Sequence, residues 1–326
     1  MARRGLARRI SRPLAAGTGA LILVATLTAC VTGSPEPRTV THPDSPAHLA
    51  EVTVQRIEYP TSHEAPDPAQ NWADLYLPAG EHRDHSVPLA VIIHGGVAQD
   101  GQGADSFDSL ARALTVRGMA VYNIEYRRLG TGGGWPTTYN DIADALDHVV
   151  KVNEKFPAIA TDDEVVVGHS TGAQFAAWGG TRHTLNHNEV GAFPAFRPTR
   201  IVSIAGTLDS VFSARAGDDR VLNAIGGTPL QVPARYATVD PAQNVDPGTP
   251  VVAIHGTEDT VVPPENSRRY VKAAQKAGGK AELTLLEGED HASIVSVDSP
   301  AYPKVVDAIV NASVAELDKV VEAVNP

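Results

Sequence analysis

The sequence predicts an α/β architecture: a mostly parallel central sheet with helices on both faces. From position 51 onward, short β-rich runs alternate with segments of helical spacing, the pattern of a parallel sheet built from strand–helix units. Residues 89–93 (Leu-Ala-Val-Ile-Ile) are an unbroken apolar run, as expected for a strand buried on both faces. The composition, 42% hydrophobic and 20% charged, is that of a globular protein and excludes extended disorder and fibrous repeats.

Each element follows from local pattern. Residues 51–59 and 73–77 have strand character and precede the buried strand. Residues 105–117 place Phe107, Leu110, Ala111 and Leu114 on one helical face. A strand at 119–124 is followed by a helix over 139–152, where Ile142, Leu146 and Val149 recur about once per turn. A strand at 164–167 leads to a helix from Thr171. Further strands fall at 200–204, 250–254 and 280–286, and a last helix covers 301–324. Two stretches interrupt the alternation. The Gly-rich loop 130–136 lacks the Lys-Ser/Thr ending of a phosphate loop, so no nucleotide cofactor is expected. Residues 179–198 lack periodicity and are expected to form a small cap or rim over the carboxyl edge of the sheet, where open α/β sheets bind ligands. Core packing is the expectation for Trp135 and Trp178.

The N-terminus reads as an address. Arg3, Arg4, Arg8, Arg9 and Arg12 precede an uncharged, mostly apolar run from Leu14 to Ala29, the layout of a secretory signal. Leu27-Thr28-Ala29-Cys30 resembles the bacterial lipoprotein box, which implies lipidation of Cys30 after removal of residues 1–29. Cys30 is the only cysteine, so neither an intrachain disulfide nor a Cys-rich zinc site can form. Cleavage before Cys30 would remove five of the 27 basic residues and none of the 38 acidic ones, leaving a formal charge near −16. Such an acidic domain argues against nucleic acid as a partner and makes the lipid itself the membrane anchor. Residues 30–50, rich in Pro, Thr, Ser and His, read as a flexible tether, and 51–326 as one catalytic domain. The expected location is extracytoplasmic.

The chemistry begins at Gly168-His169-Ser170-Thr171-Gly172, a G-x-S-x-G pentad between a strand and a helical run of small residues. That context puts a serine on a tight turn with its hydroxyl exposed, and makes Ser170 the candidate nucleophile. A serine hydroxyl needs a histidine base, and the histidine needs a carboxylate to fix its tautomer. In a strand–turn–helix hydrolase the chain order is serine, acid, histidine. Of the histidines that follow Ser170, His291 stands just past the strand at 280–286 and is the candidate base. Asp259, past the strand at 250–254, is the favoured acid. Asp209 and Glu258 are the alternatives, with Asp209 better read as a helix cap and Asp290 as a loop carboxylate. His94-Gly95-Gly96-Val97 follows the buried strand and supplies an oxyanion loop: Gly96 or Val97, together with Thr171, are the candidate donors. His94 reads as an orienter of that loop. His183 and His187 have i, i+4 spacing, but no third metal ligand is evident, so a polar loop is expected and no metal or organic cofactor is implied.

Taken together, these residues resemble the α/β-hydrolase superfamily, in its esterase/lipase branch that includes kynurenine formamidase-like and prolyl-oligopeptidase-like serine hydrolases. The matching pieces are Asp74-Leu75-Tyr76-Leu77-Pro78, His94-Gly95-Gly96, Asn123-Ile124-Glu125-Tyr126-Arg127, Tyr139-Asn140-Asp141-Ile142, the pentad, His255–Asp259 and Asp290-His291, in family order across residues 73–291. Val97-Ala98-Gln99 stands where the family carries an aromatic residue, which argues against a formamidase. The resemblance implies a carboxylic-ester hydrolase acting on small or medium esters through an acyl-enzyme. An amidase or peptidase using the same three residues is the alternative, and a catalytically silent surface-binding domain is a third reading. The expected partner is a small-molecule ester or amide.

Overall fold

All the parallel strands end on one edge of a single sheet, and that geometry decides where side chains can meet. The computed structural model describes residues 38–39, 52–96 and 103–324. Its strands are β1 (Arg38–Thr39), β2 (Thr53–Glu58), β3 (Trp72–Leu77), β4 (Val87–Ile93), β5 (Ala120–Ile124), β6 (Ile159–His169), β7 (Ile201–Ile204), β8 (Val251–Gly256) and β9 (Ala281–Leu286). Its helices are α1 (Asp108–Val116), α2 (Thr137–Lys155), α3 (Thr171–Thr181), α4 (Ser210–Arg215), α5 (Asp219–Ile225), α6 (Pro233–Val239), α7 (Glu265–Lys276), α8 (Tyr302–Val314) and α9 (Val320–Val324). The nine-stranded sheet has the order β1-β2-β3-β5-β4-β6-β7-β8-β9. The strands from β5 to β9 are parallel, and β1, β2 and β3 form an antiparallel margin. This is an α/β-hydrolase fold.

Alternation along the strands builds two cores. On β4, Leu89, Val91 and Ile93 pack with Leu146 of α2 and Phe175 of α3, whereas Ala90 and Ile92 pack with Leu110 of α1 and Ile309 of α8. Burial on both sides is why β4 reads as an unbroken apolar run. Trp178 is fully buried in the first of these cores, edge-on to Tyr139, and Trp135 packs against the same tyrosine.

Several expectations need correction. The predicted final helix over 301–324 is two helices. Ala315 leaves the helical region at ψ 144, and a short turn at Leu317–Lys319 redirects the chain so that Val320 and Val321 are buried. Residues 179–181 belong to α3, and the rest of 179–198 does not cap the carboxyl edge. It leaves the C-terminal end of α3 and re-enters the sheet at the start of β7, so it lies along the opposite edge, where Asp147 on α2 accepts from the N–H groups of Ala195 and Phe196. The predicted signal, Cys30, Val97 and all of the tether but Arg38 and Thr39 lie outside the described residues; those two do not read as tether, since they form β1 against β2. No helix among the described residues is long and apolar enough to cross a membrane.

Candidate active site

Ser170 sits between β6 and α3 at φ 58 and ψ −122, a strained conformation for a residue with a side chain. The pentad's glycines make that turn possible. A Cβ on Gly168 would collide with the Gly172 carbonyl, and one on Gly172 would collide with the carbonyls of Ile93 and His94. Only bare backbone lets α3 start this close to β4 and β6, so the hydroxyl emerges at the carboxyl edge.

His291 follows β9 and Asp259 follows β8, as the strand order requires. His291 Nε2 lies 2.9 Å from Ser170 Oγ, and His291 Nδ1 lies 2.8 Å from Asp259 Oδ2. With Nδ1–H donating to the carboxylate, Nε2 is left to accept the serine proton. Asp259 is buried; its Oδ1 accepts from the N–H groups of Val261 (2.9 Å) and Val262 (2.8 Å). Burial alone would raise this carboxyl, but hydrogen bonds from His255 and His291 outweigh it and hold Asp259 well below the usual carboxylate range.

The other acids fall elsewhere. Asp209 caps α4 by accepting from the Phe212 N–H at 2.8 Å and pairs with Arg269. Glu258 is exposed. Asp290 accepts from the N–H groups of Ala292 and Ser293 at the start of a short turn. His183 lies in a 3-10 turn that ends at Thr184, and His187 contacts Asn188, so the two do not share a helical face.

On the oxyanion side, Gly95 lies against the serine: a Cβ on it would come 2.8 Å from the Ser170 Cβ. Gly96 adopts φ 77 and lines the same cleft as Thr171, the first residue of α3. The first N–H groups of a helix lack intrahelical partners and carry positive potential, which suits an anionic oxygen. The cleft has a volume of about 280 Å³. Phe107, Val221, Val261, Val262 and Val295 give it apolar walls, and Ser106, Thr207, Asp218 and Arg220 supply polar ones. The 130–136 loop and residues 179–198 do not contribute. A larger hollow of about 540 Å³, lined by Tyr236, Asp240 and Lys272 among others, contains neither Ser170 nor His291. The cleft is the candidate because the hydroxyl–imidazole pair opens into it.

Four residues that the sequence did not single out complete the site. His169 Nε2–H donates to the His291 carbonyl at 2.9 Å and holds that residue's backbone. Burial, followed by the charge of His291, depresses His169 to about 3. His255, also fully buried, presents Nε2 to the Val262 carbonyl at 2.8 Å and to Asp259 Oδ2 at 3.2 Å. Asp218 caps α5 and grips Arg220 through both carboxylate oxygens, and Arg220 Nη2 donates to the Val261 carbonyl at 2.6 Å. The histidines were visible as neighbours of the motifs, since His169 is inside the pentad and His255 opens the Asp259 loop. The Asp218–Arg220 contact carries no sequence signal, because its partner is a backbone carbonyl 41 residues away.

Known proteins agree with this frame. The BD-FAE family model matches residues 73–273. A probable isoprenylcysteine alpha-carbonyl methylesterase of Oryza sativa subsp. japonica is 27% identical over 249 residues, covering 71% of this chain and 58% of that protein. The chain thus spans a little over half the length of the curated relatives it matches. Among solved structures, esterase B from Lactobacillus rhamnosis superposes with a TM-score of 0.67 at 17% identity, covering 82% of this chain and 88% of the other. A truncated carbohydrate esterase from gut microbiota gives 0.64 at 19% identity, covering 83% and 97%. The matched span takes in the β3 strand, the His94–Gly96 loop, the pentad and the Asp259 loop, and the chain belongs to the BD-FAE family of α/β-hydrolases.

Proposed function

We propose that this protein is a serine hydrolase that cleaves carboxylic esters with small or medium acyl groups, with Ser170 as nucleophile, His291 as base and Asp259 as its orienting acid. The observation that carries this reading is the hydrogen-bonded line from Ser170 Oγ through His291 to Asp259, at 2.9 and 2.8 Å. Family membership supports it, as do the esterase and methylesterase names of its relatives.

In the first half-reaction, His291 Nε2 takes the hydroxyl proton as Ser170 Oγ bonds to the ester carbonyl carbon. The carbonyl electron pair moves to oxygen, and that oxyanion is met by N–H groups of Thr171 and of Gly96 or Val97. The pair returns, the bond to the alcohol oxygen breaks, and the alcohol leaves with the proton from His291. Water then attacks the acyl-enzyme by the same route and releases the acid. The apolar walls and a cleft of about 280 Å³ favour short acyl chains.

The test is turnover of p-nitrophenyl esters of increasing acyl length, wild type beside Ser170→Ala. The expected outcome is serine-dependent turnover that falls beyond medium chains, with about a 10³-fold or greater loss in the variant. Turnover of an arylformamide without ester turnover would replace the reading with the amidase alternative. Ligand binding that survives Ser170→Ala, with no turnover by folded wild type, would replace it with a binding domain. We further propose export and lipidation at Cys30 on the strength of the leader residues alone. Metabolic labelling with palmitate, expected in the wild type and lost in Cys30→Ser, checks this.

A further inference from the structure

Behind the oxyanion loop lies a buried pair that the acyl-transfer steps leave unused. His94 is fully buried, and its ring stacks on Tyr126 with centroids 4.3 Å apart and planes 11° from parallel. Its Nδ1 lies 2.7 Å from the Gly95 carbonyl oxygen and its Nε2 lies 3.1 Å from Glu125 Oε1. A carbonyl and a carboxylate are both acceptors, so both ring nitrogens donate, and an imidazole with a single proton could make only one of these bonds. Glu125 also accepts from the N–H groups of Tyr126 (3.0 Å) and Ala104 (2.9 Å), and Arg128 stands 3.8 Å away. Burial would raise this carboxyl, but the bonds from His94 and Ala104 outweigh it and keep it below its usual range.

We infer that Glu125 is a positioning residue for the oxyanion donor, acting through His94 on the Gly95–Gly96 peptide. Glu125 accepts from Nε2–H and fixes the ring against Tyr126, with Nδ1–H aimed at the oxyanion loop. The Nδ1–H then holds the Gly95 carbonyl toward the interior. A trans peptide directs its C=O and N–H to opposite sides, so the Gly96 N–H turns away from His94 and toward the cleft that Gly96 shares with Ser170. Tyr126 secures the peptide before it, since its hydroxyl donates to the His94 carbonyl at 2.8 Å. Without Glu125, the buried Nε2–H has no acceptor, the ring loses the bond that fixes it, and the peptide held by Nδ1–H is free to rotate. This inference rests on the acyl-transfer reading of Ser170.

Two variants and one spectroscopic measurement test it. His94→Phe keeps the stack on Tyr126 and removes both donors; Glu125→Ala removes the carboxylate. Each is expected to lower kcat about 10²- to 10³-fold, the effect of losing one oxyanion donor, with KM little changed. Each should weaken a trifluoromethyl ketone, whose serine adduct carries the oxyanion, by a similar factor, while an uncharged substrate-like competitive inhibitor binds as before. The double variant should be no worse than the poorer single one, because both act through one peptide. Variants that fold and keep kcat within a few-fold, or that leave ketone affinity intact, would overturn the inference. Should neither variant fold, nitrogen-15 NMR of histidine-labelled wild type decides: two ring protons are expected on His94, and one would refute the proposal. The wild-type control keeps the two claims apart, since a wild type that forms no ketone adduct at Ser170 refutes the acyl-transfer reading instead.

Discussion

Asp259 and His169 make the stability of the fold depend on pH, each by being held away from its ordinary titration. Asp259 is kept ionised by four donors, two backbone N–H groups and two imidazoles. A carboxylate depressed on folding contributes stability that is present above its unfolded pKa, near 4, and is lost as pH falls toward the folded value. His169 works in the same sense. It is held neutral down to about 3, whereas an unfolded histidine takes up its proton near 6.5. The unfolded chain therefore binds the extra proton first, and stability declines as pH drops through that window. His169→Gln should flatten the decline in urea-unfolding free energy between pH 7.5 and 4; parallel curves for variant and wild type would contradict this assignment. At this scale the sequence was legible where a residue follows within a few positions of a strand end, as Ser170, Asp259 and His291 do. It was opaque where a residue works through a partner distant in the chain: Glu125 meets His94 across 31 positions, and His169 meets the His291 backbone across 122.

Among the elements, the start of α3 is the most constrained. Gly172→Ala would press a methyl group into the backbone of β4, against the carbonyls of Ile93 and His94, where no side chain can yield. It should cost at least about 1–3 kcal/mol, read as a fall in the urea midpoint, and reduce kcat because Ser170 moves with the helix. A variant as stable and active as wild type would refute the close approach described here. The strands were readable because burial on both faces leaves continuous apolar runs, and α1 and α2 because their apolar stripes repeat with the helical period. The end of α3 was misread for a physical reason. Gly179 and Gly180 look like helix breakers, yet each lies where a Cβ would come within 3.0 Å of a neighbouring side chain, Leu146 or Ile201. They mark close packing of the helix. The break near Ala315 was missed because no Gly or Pro announces it, and burial of Val320 and Val321 accompanies the turn.

At the scale of the whole molecule, one buried ion pair fastens the end of β5 to the helical layer and, through Glu64, to the β2–β3 connection. Arg127, just past β5, donates through Nε and Nη2 to Asp141 of α2 at 2.8 and 2.6 Å and reaches Glu64 with Nη1 at 2.8 Å. Asp141 is fully buried. Asp141→Ala leaves the guanidinium uncompensated on that side and should destabilise the fold by about 3–5 kcal/mol, measured by urea unfolding. A loss below about 1 kcal/mol would show that Glu64 alone suffices. Fold class was readable from alternation alone, whereas the walls of the cleft were not, because the segment between β7 and β8 has no period that fixes its position. That segment carries α4, α5 and α6 and reaches the acid's loop through Arg220 and the Val261 carbonyl. One wall of the cleft, made by Asp218, Arg220 and Val221, therefore sits on a stretch of chain apart from Ser170, Asp259 and His291. Substitution there can reshape that wall without touching Ser170, Asp259 or His291, so long as a donor to the Val261 carbonyl is kept. Diversification by substitution in this one segment is an evolutionary route that the architecture leaves open.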